Sequence, residues 1–112
     1  SWIESTCIGC GACSYLCPTC YCVDITDQVF CRVGKRLRTY DSCMFPAYTL
    51  EASGHNPRSS GLERWRQRLM HKFRYIPELT GEVGCTGCGR CIDCCPSKID
   101  IREVIRFAAG AR

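Results

Sequence analysis

The sequence predicts one small, mainly α-helical domain that cannot rely on a large hydrophobic core alone. Its 112 residues suffice for a single domain spanning 1–112. Apolar residues recur at helical spacing in two segments, 61–74 and 99–109. The 46% of hydrophobic residues includes all 13 cysteines, so the apolar surface left for a core is modest. Disulfides, zinc or iron–sulfur clusters must therefore supply the remaining cross-links.

The segment that follows the first cysteine-rich stretch predicts a short hairpin or an extended stretch. Residues 21–40 are rich in β-branched side chains and contain Gly34, where we expect the turn. Residues 52–61, with the sequence ASGHNPRSSG, predict a loop because glycine, serine, asparagine and proline dominate them.

The helix over 61–74 has the clearest sequence signals. Its apolar stripe consists of Leu62, Trp65, Leu69 and Phe73. Ser59 or Ser60 is available as the N-cap, and Pro77 stands beyond the expected end. A second helix is predicted over 99–109, where Ile99, Ile101, Val104, Ile105 and Ala108 form the stripe.

One internal repeat dominates the chain. The pattern C-x2-C-x2-C-x3-C-P occurs in a first arm, residues 7–18, and again in a second arm, residues 85–96. This is the bacterial ferredoxin signature for [4Fe–4S] clusters. Zinc sites usually take their ligands as two separated pairs, which makes zinc the weaker interpretation. An odd number of cysteines and the absence of a recognisable signal segment disfavour disulfides.

The signature also predicts which cysteines share a cluster. In two-cluster ferredoxins the fourth cysteine of each run binds the other cluster. The first cluster is therefore expected on Cys7, Cys10, Cys13 and Cys95. The second is expected on Cys85, Cys88, Cys91 and Cys17. Glycines at 9, 11, 87 and 89 allow the tight curl that brings three thiolates to one cluster.

The charge pattern does not favour a nucleic-acid partner. The formal net charge is +4 with neutral cysteines, and two clusters with their thiolates, at about −2 each, bring the domain close to zero. The basic run from Arg64 to Arg74 is interpreted as a solvated face, or as a face that docks against an acidic partner or against the negative field of the clusters. No apolar run is long enough for a membrane span, and reduced cysteines predict a cytoplasmic location.

Several blocks outside the cluster motifs carry a family resemblance. They are CPTCYC, DSCMF, GHNPR and HKF, together with the arms CIGCGACSYLCP and CTGCGRCIDCCP. With these blocks the sequence resembles the C-terminal dicluster region of the A subunit of anaerobic sulfite reductase and of the beta subunit of NiFe sulfhydrogenases. It is also similar to modules of heterodisulfide-reductase-type complexes. The resemblance extends over nearly the whole chain.

The resemblance implies an iron–sulfur electron-transfer subunit, and no residue pattern in the sequence indicates a catalytic site. Such subunits relay electrons between a flavoprotein subunit that oxidises NAD(P)H and a catalytic redox subunit. The implied fold is the α-helical ferredoxin class, and a βαββαβ ferredoxin with an insertion is the alternative. The relatives are longer, so we expect the chain to be the C-terminal domain or a fragment of a longer subunit.

Five cysteines and two histidines remain outside the eight predicted ligands. The cysteines are Cys20, Cys22, Cys31, Cys43 and Cys94. They are interpreted as buried small side chains, or else as a third metal or cluster site in which Cys20, Cys22 and Cys43 are joined by Cys31 or a histidine. A catalytic role through such a third cluster is an alternative function to electron transfer. His55 and His71 are interpreted as loop and helix contacts rather than ligands. Trp2, Trp65, Tyr75 and the basic run are the predicted partner surface, with a core position for Trp65 as the alternative.

Overall fold

A computed structural model describes residues 2–110 of the chain. The elements in order are α1 (Trp2–Thr6), α2 (Ala12–Tyr15), β1 (Val23–Phe30), β2 (Val33–Tyr40), a 3₁₀ turn (Pro46–Thr49), α3 (Gly61–Met70), a π-helix (His71–Tyr75), α4 (Ile76–Thr80), α5 (Arg90–Asp93) and α6 (Ile101–Ala108). Most of the helices have only one or two turns, and much of each cysteine arm is loop.

The predicted fold class, mainly α, is wrong. The chain is a small mixed α/β protein whose two eight-residue strands form a full antiparallel hairpin. The βαββαβ alternative fails as well, since residues 2–110 contain a single two-stranded sheet. The segment over 21–40 was expected to be a weak element inside a helical domain. Its β-branched residues instead pair along their whole length, and the helices around the arms are too short to dominate the fold.

The hairpin turns at Cys31 and Arg32 rather than at Gly34. Gly34 pairs with Val29 inside the ladder, and Phe30 pairs with Val33. A two-residue turn needs a positive φ, and Cys31 has φ 55°. Nearly every residue of both strands is exposed, so the hairpin extends away from the core.

The predicted helix over 61–74 is present but does not end before Pro77. The Ser60 hydroxyl accepts from the Glu63 backbone N–H at 3.2 Å, and the Glu63 carboxylate accepts from the Ser60 N–H at 2.9 Å. These two bonds form a capping box that starts α3 at Gly61. The π-helix then widens the backbone ahead of Pro77, where a proline ring would otherwise clash with the carbonyl four residues earlier.

The core is small and lies beside the first arm. It consists of Ile3, Met44, Trp65, Ile99 and Val104, with Cys7, Cys13, Cys43, Leu69 and Cys95 packed at its edge. Trp65 is therefore a core residue, not part of a partner surface. The predicted second helix forms as α6, capped by Asp100, whose carboxylate accepts from the Arg102 N–H at 2.9 Å. No helix within residues 2–110 combines the length and apolar character that crossing a bilayer would need.

The capping box makes a stability prediction. Ser60→Ala removes the side-chain acceptor for the Glu63 N–H and should lower the free energy of unfolding by about 1 kcal/mol. Ser59→Ala is the matched control, because Ser59 reaches only the exposed Glu63 carboxylate, at 3.3 Å, and should change stability by less than about 0.5 kcal/mol. Anaerobic denaturant unfolding of the three proteins measures both effects. Equal losses in the two variants would contradict the capping assignment.

Candidate metal centres

The two arms have the same backbone conformation. Gly9 and Gly87 have φ 70° and 73°, and Gly11 and Gly89 have φ 75° and 77°. Each second glycine is the left-handed N-cap of a one-turn helix, α2 in the first arm and α5 in the second. Left-handed backbone favours glycine, which explains why both arms carry it at matching places. The repeat in the sequence is therefore also a repeat in three dimensions.

Gly11 has a second constraint that its partner in the other arm lacks. A Cβ at Gly11 would lie 2.5 Å from the Phe45 ring and 2.9 Å from the Ser42 hydroxyl. Ser42 is fully buried, and its hydroxyl donates to the Gly11 carbonyl at 3.4 Å. This contact fixes the segment around Cys43 against the first arm. A Cβ at Gly89 would meet nothing within 4 Å.

The first cavity lies between the first arm and the end of the second. Its lining includes Cys7, Cys10, Cys13, Cys91 and Cys95 together with Met44, Trp65 and Arg68. Four of these are the cysteines predicted to bind the first cluster. The cavity is narrow, with a volume of about 20 Å³.

The second cavity lies between the second arm and Cys17 of the first. Its lining includes the four cysteines predicted for the second cluster, Cys17, Cys85, Cys88 and Cys91. Its volume of about 350 Å³ is much larger than that of the first cavity. Cys91 lines both cavities, so the two are neighbours.

Two buried cations from one helical segment face these cavities. Lys72 is only 3% exposed, and its ammonium donates to Cys17 Sγ at 2.8 Å, Thr19 Oγ1 at 2.8 Å and the Gly84 carbonyl at 3.1 Å. Arg68 is 2% exposed and donates from Nη2 to the Cys13 carbonyl at 3.0 Å. Arg68 lines both cavities and Lys72 lines the second.

These cations overturn part of the prediction for the basic run. Arg68 and Lys72 do not belong to an exposed face. Their burial could have been predicted from the sequence. Positions 65, 68 and 72 are three and four residues apart, so Arg68 and Lys72 lie on the same side of the helix as the core residue Trp65. Of the alternatives for the basic run, a face toward the clusters fits Arg68 and Lys72, because both line cysteine-rich cavities.

The cations and neighbouring thiols shift the thiol pKa values. A hydrogen bond with the Cys20 side chain, together with those from Lys72 and Thr19, lowers the pKa of Cys17 to about 3. The same thiol pair raises the pKa of Cys20, and burial adds to that increase. Burial raises the pKa of Cys13. Since the thiolate is the form that binds metal, Lys72 favours the ligating form of Cys17.

Unpaired buried donors show what the cavities can hold. Neither Nε nor Nη1 of Arg68 has a hydrogen-bond partner among residues 2–110, and the same is true of Trp65 Nε1. A buried cation with unpaired N–H groups is costly unless an anion lies beside it. An iron–sulfur cluster with its thiolates is such an anion, and its sulfurs accept hydrogen bonds. The residues around the cavities therefore fit [4Fe–4S] clusters.

A third cavity lies on the other side of Arg68 and Lys72. Its volume is about 340 Å³, and its lining includes Cys20, Cys22, Cys43, Tyr48 and His71. A hydrogen bond with Cys43 lowers the pKa of Cys22 to about 6, and the same pair raises the pKa of Cys43. Three of the cysteines left over by the motifs therefore lie around one space.

The other leftover residues are not brought to this cavity. Cys31 lies in the exposed hairpin turn, about 25–30 Å of strand away from Cys22. Cys94 is half-buried beside Cys95 and lines none of the three cavities. His55 lies in the loop after the 3₁₀ turn, where its carbonyl accepts from the Glu51 N–H at 2.9 Å. Within residues 2–110, no three cysteine, histidine or carboxylate side chains converge tightly enough for a single ion.

Comparison with known families agrees with the two arms. The family described as "4Fe-4S dicluster domain" matches residues 6–99. The chain belongs to the 4Fe–4S dicluster domain family. It is 42% identical over 100 residues to sulfhydrogenase 2 subunit beta of Pyrococcus furiosus, an alignment that covers 88% of this chain and 29% of that protein. No solved structure matches the chain.

Membership of this family confirms the predicted cofactors and the family resemblance. A dicluster domain implies two [4Fe–4S] clusters, and the sulfhydrogenase subunit was among the proteins that the sequence resembled. The chain is thus an iron–sulfur electron-transfer domain. It spans about 29% of the length of the relative it matches.

The position of Lys72 makes a prediction about reduction potential. Lys72→Met removes a positive charge beside Cys17 and should lower the potential of the second centre by an amount on the order of tens of millivolts, because reduction adds negative charge. Arg66→Met is the matched control, since Arg66 lies on the exposed side of the same helix and should change neither potential. Potentiometric titration followed by electron paramagnetic resonance measures the shift. An equal shift in both variants would contradict a local effect of Lys72.

Proposed function

We propose that this domain relays single electrons between a flavoprotein subunit that oxidises NAD(P)H and a catalytic redox subunit of the sulfite reductase or sulfhydrogenase type. When bound, the two clusters supply reversible one-electron transfer. The observation that carries the proposal is the adjacency of the two cysteine-lined cavities, which share Cys91 and Arg68. Adjacent centres are what a relay needs, because each electron must pass through the domain from a donor to an acceptor.

The proposed parent complex rests on the relative's name and on chemistry. That relative is named as a subunit of a sulfhydrogenase, which supports a multisubunit redox complex. The identity of the partner subunits is a further step of the proposal. The sequence carries no recognisable dinucleotide-binding motif, so a pyridine nucleotide and flavin are assigned to a separate subunit. A module of a heterodisulfide-reductase-type complex is the second candidate, and a cytoplasmic location accompanies both.

The surface of the domain supports work inside a complex. The hairpin exposes Ile25, Val29, Phe30 and Val33 by 62% to 83%. A two-stranded hairpin without a packed face is marginally stable in water, so a partner subunit that covers it would stabilise both. This hairpin replaces the buried Trp65, Arg68 and Lys72 as the proposed contact surface.

The relay can be tested by separating half-reactions from the coupled reaction. In the complete complex, Cys88→Ser should abolish electron flow from NAD(P)H to the terminal acceptor. Reduction of a dye by the flavoprotein subunit and of the terminal acceptor by a reduced dye should both continue, because neither passes through this domain. Cys31→Ser, in the exposed turn, is the control and should leave all three activities unchanged. Undiminished coupled activity in Cys88→Ser would refute the relay.

We also propose that the arms exchange their fourth ligands. Cys7, Cys10, Cys13 and Cys95 would hold the first cluster, and Cys85, Cys88, Cys91 and Cys17 the second. Support comes from the lining of the cavities. Cys95 lies with the first arm and not in the second cavity, and Cys17 lies with the second arm and not in the first. The domain as a whole, 1–112, would thus be one dicluster unit, the C-terminal domain or a fragment of a longer subunit.

Paired variants test this exchange. Cys17→Ser should perturb the same spectroscopic signal as Cys88→Ser, and Cys95→Ser the same signal as Cys10→Ser. Electron paramagnetic resonance of the reduced proteins distinguishes the two centres. If Cys17→Ser instead matched Cys10→Ser, each arm would keep its own fourth ligand and the crossed assignment would be refuted. Because each crossed cluster ties together the two ends of the chain, Cys17→Ser and Cys95→Ser should also lower thermal stability.

A further inference from the structure

We propose that the third cavity holds a third iron–sulfur cluster, bound by Cys20, Cys22, Cys43 and His71. This inference goes beyond the two clusters of the dicluster motif and beyond the relay function proposed above. It starts from the convergence of residues that no motif joins. Three cysteines and one imidazole, drawn from three segments of the chain, line one space.

The third cavity has room for a group larger than a single ion. Its volume of about 340 Å³ is close to the 350 Å³ of the second cavity, which the ferredoxin motif assigns to a four-iron cube. Soft thiolates together with an imidazole form a ligand set suited to iron. The structure therefore provides equal space and similar ligands on both sides of Lys72.

The charge around the cavity indicates an anionic occupant. Arg68 and Lys72 line it, and both are almost fully buried. Arg68 is 2% exposed and has two N–H groups without a partner among residues 2–110. Lys72 already has three hydrogen-bond partners, whereas Arg68 keeps two unpaired N–H groups that a cluster with thiolate ligands would offset.

The ligands are held by fixed elements. Cys22 directly precedes β1, and its carbonyl accepts from the Asp41 N–H at 3.0 Å. Cys43 follows the fully buried Ser42, and its sulfur is 3.7 Å from the Ser14 hydroxyl. His71 begins the π-helix, a local widening often found at functional sites.

The hydrogen bond on the His71 ring also resembles that of a metal-bound imidazole. A hydrogen bond of 3.1 Å joins Tyr21 Oη to His71 Nε2. Metal-bound imidazoles usually carry such a bond on the nitrogen that does not bind metal, which here would leave Nδ1 as the ligand. In this structure the side chain of Cys20 hydrogen-bonds that of Cys17. When Cys17 binds its own cluster, Cys20 can turn into the third cavity, which it already lines.

Iron and sulfide counts test the proposal. In the complete protein, purified anaerobically, Cys22→Ser should remove about four irons and about four acid-labile sulfides per chain. Cys31→Ser is the matched control, because Cys31 lies in the exposed hairpin turn, and it should remove none. Unchanged iron in Cys22→Ser, or loss of one zinc instead, would overturn the third cluster.

A comparison variant separates this test from that of the proposed function. Cys88→Ser should remove about four irons through the second cluster of the dicluster motif. A loss in Cys88→Ser without a loss in Cys22→Ser would refute the third cluster and leave the relay proposal intact. If Cys22→Ser also erased the signals of the two motif clusters, its iron count would report misfolding, and the measurement on His71 would decide.

That measurement identifies the fourth ligand without removing a cysteine. Electron–nuclear double resonance of the reduced wild-type protein should show a strong nitrogen coupling from a histidine, and His71→Cys should abolish it while keeping the iron. His55→Ala is the control and should leave the coupling unchanged, because His55 lies in a loop and lines none of the three cavities. A spectrum without a coupling that depends on His71 would overturn the proposed ligand set.

Discussion

The structure depends on the placement of two cations, Arg68 and Lys72, among cysteine-lined cavities. A buried guanidinium and a buried ammonium are tolerated only where anions or strong acceptors surround them. Lys72 reaches Cys17, Thr19 and the Gly84 carbonyl, and thus ties the first arm to the start of the second. Arg68 lines all three cavities. One helical segment therefore supplies both the charge and the geometry around which the arms close.

The π-helix follows from the same requirement. An uninterrupted α-helix would carry Pro77 into a clash with the preceding turn. Widening the backbone over His71–Tyr75 relieves that clash, and the widened turn contains both His71 and Lys72. Gly84 then packs closely, because a Cβ there would lie 2.6 Å from Ile76 and 3.0 Å from the Lys72 carbonyl. The irregular helix thus positions a cation and a candidate ligand on adjacent cavities.

The features that the sequence predicted well are local ones. Cysteine spacing identified the dicluster motif, a capping serine with an apolar stripe identified α3, and an apolar stripe alone identified α6. Long-range features were harder to predict. The hairpin was expected to turn at Gly34, but strand pairing moved the turn to Cys31, since register is set along the whole ladder. Charge alone left open whether Arg68 and Lys72 face solvent, an acidic partner or the clusters, because it does not show that cavities lie beneath a helix.

The arrangement of the cavities reduces the electrostatic repulsion between neighbouring centres in one domain. The first and second cavities share Arg68, and the second and third share Arg68 and Lys72, so a cation lies next to each pair. Each added electron increases the negative charge of its centre, and a neighbouring buried cation offsets part of that increase where water cannot. Separate surface cations would be screened and would act weakly. The two cysteine-lined cavities of the dicluster motif thus lie along one helical segment, and charge compensation between their clusters depends on the burial of Arg68 and Lys72.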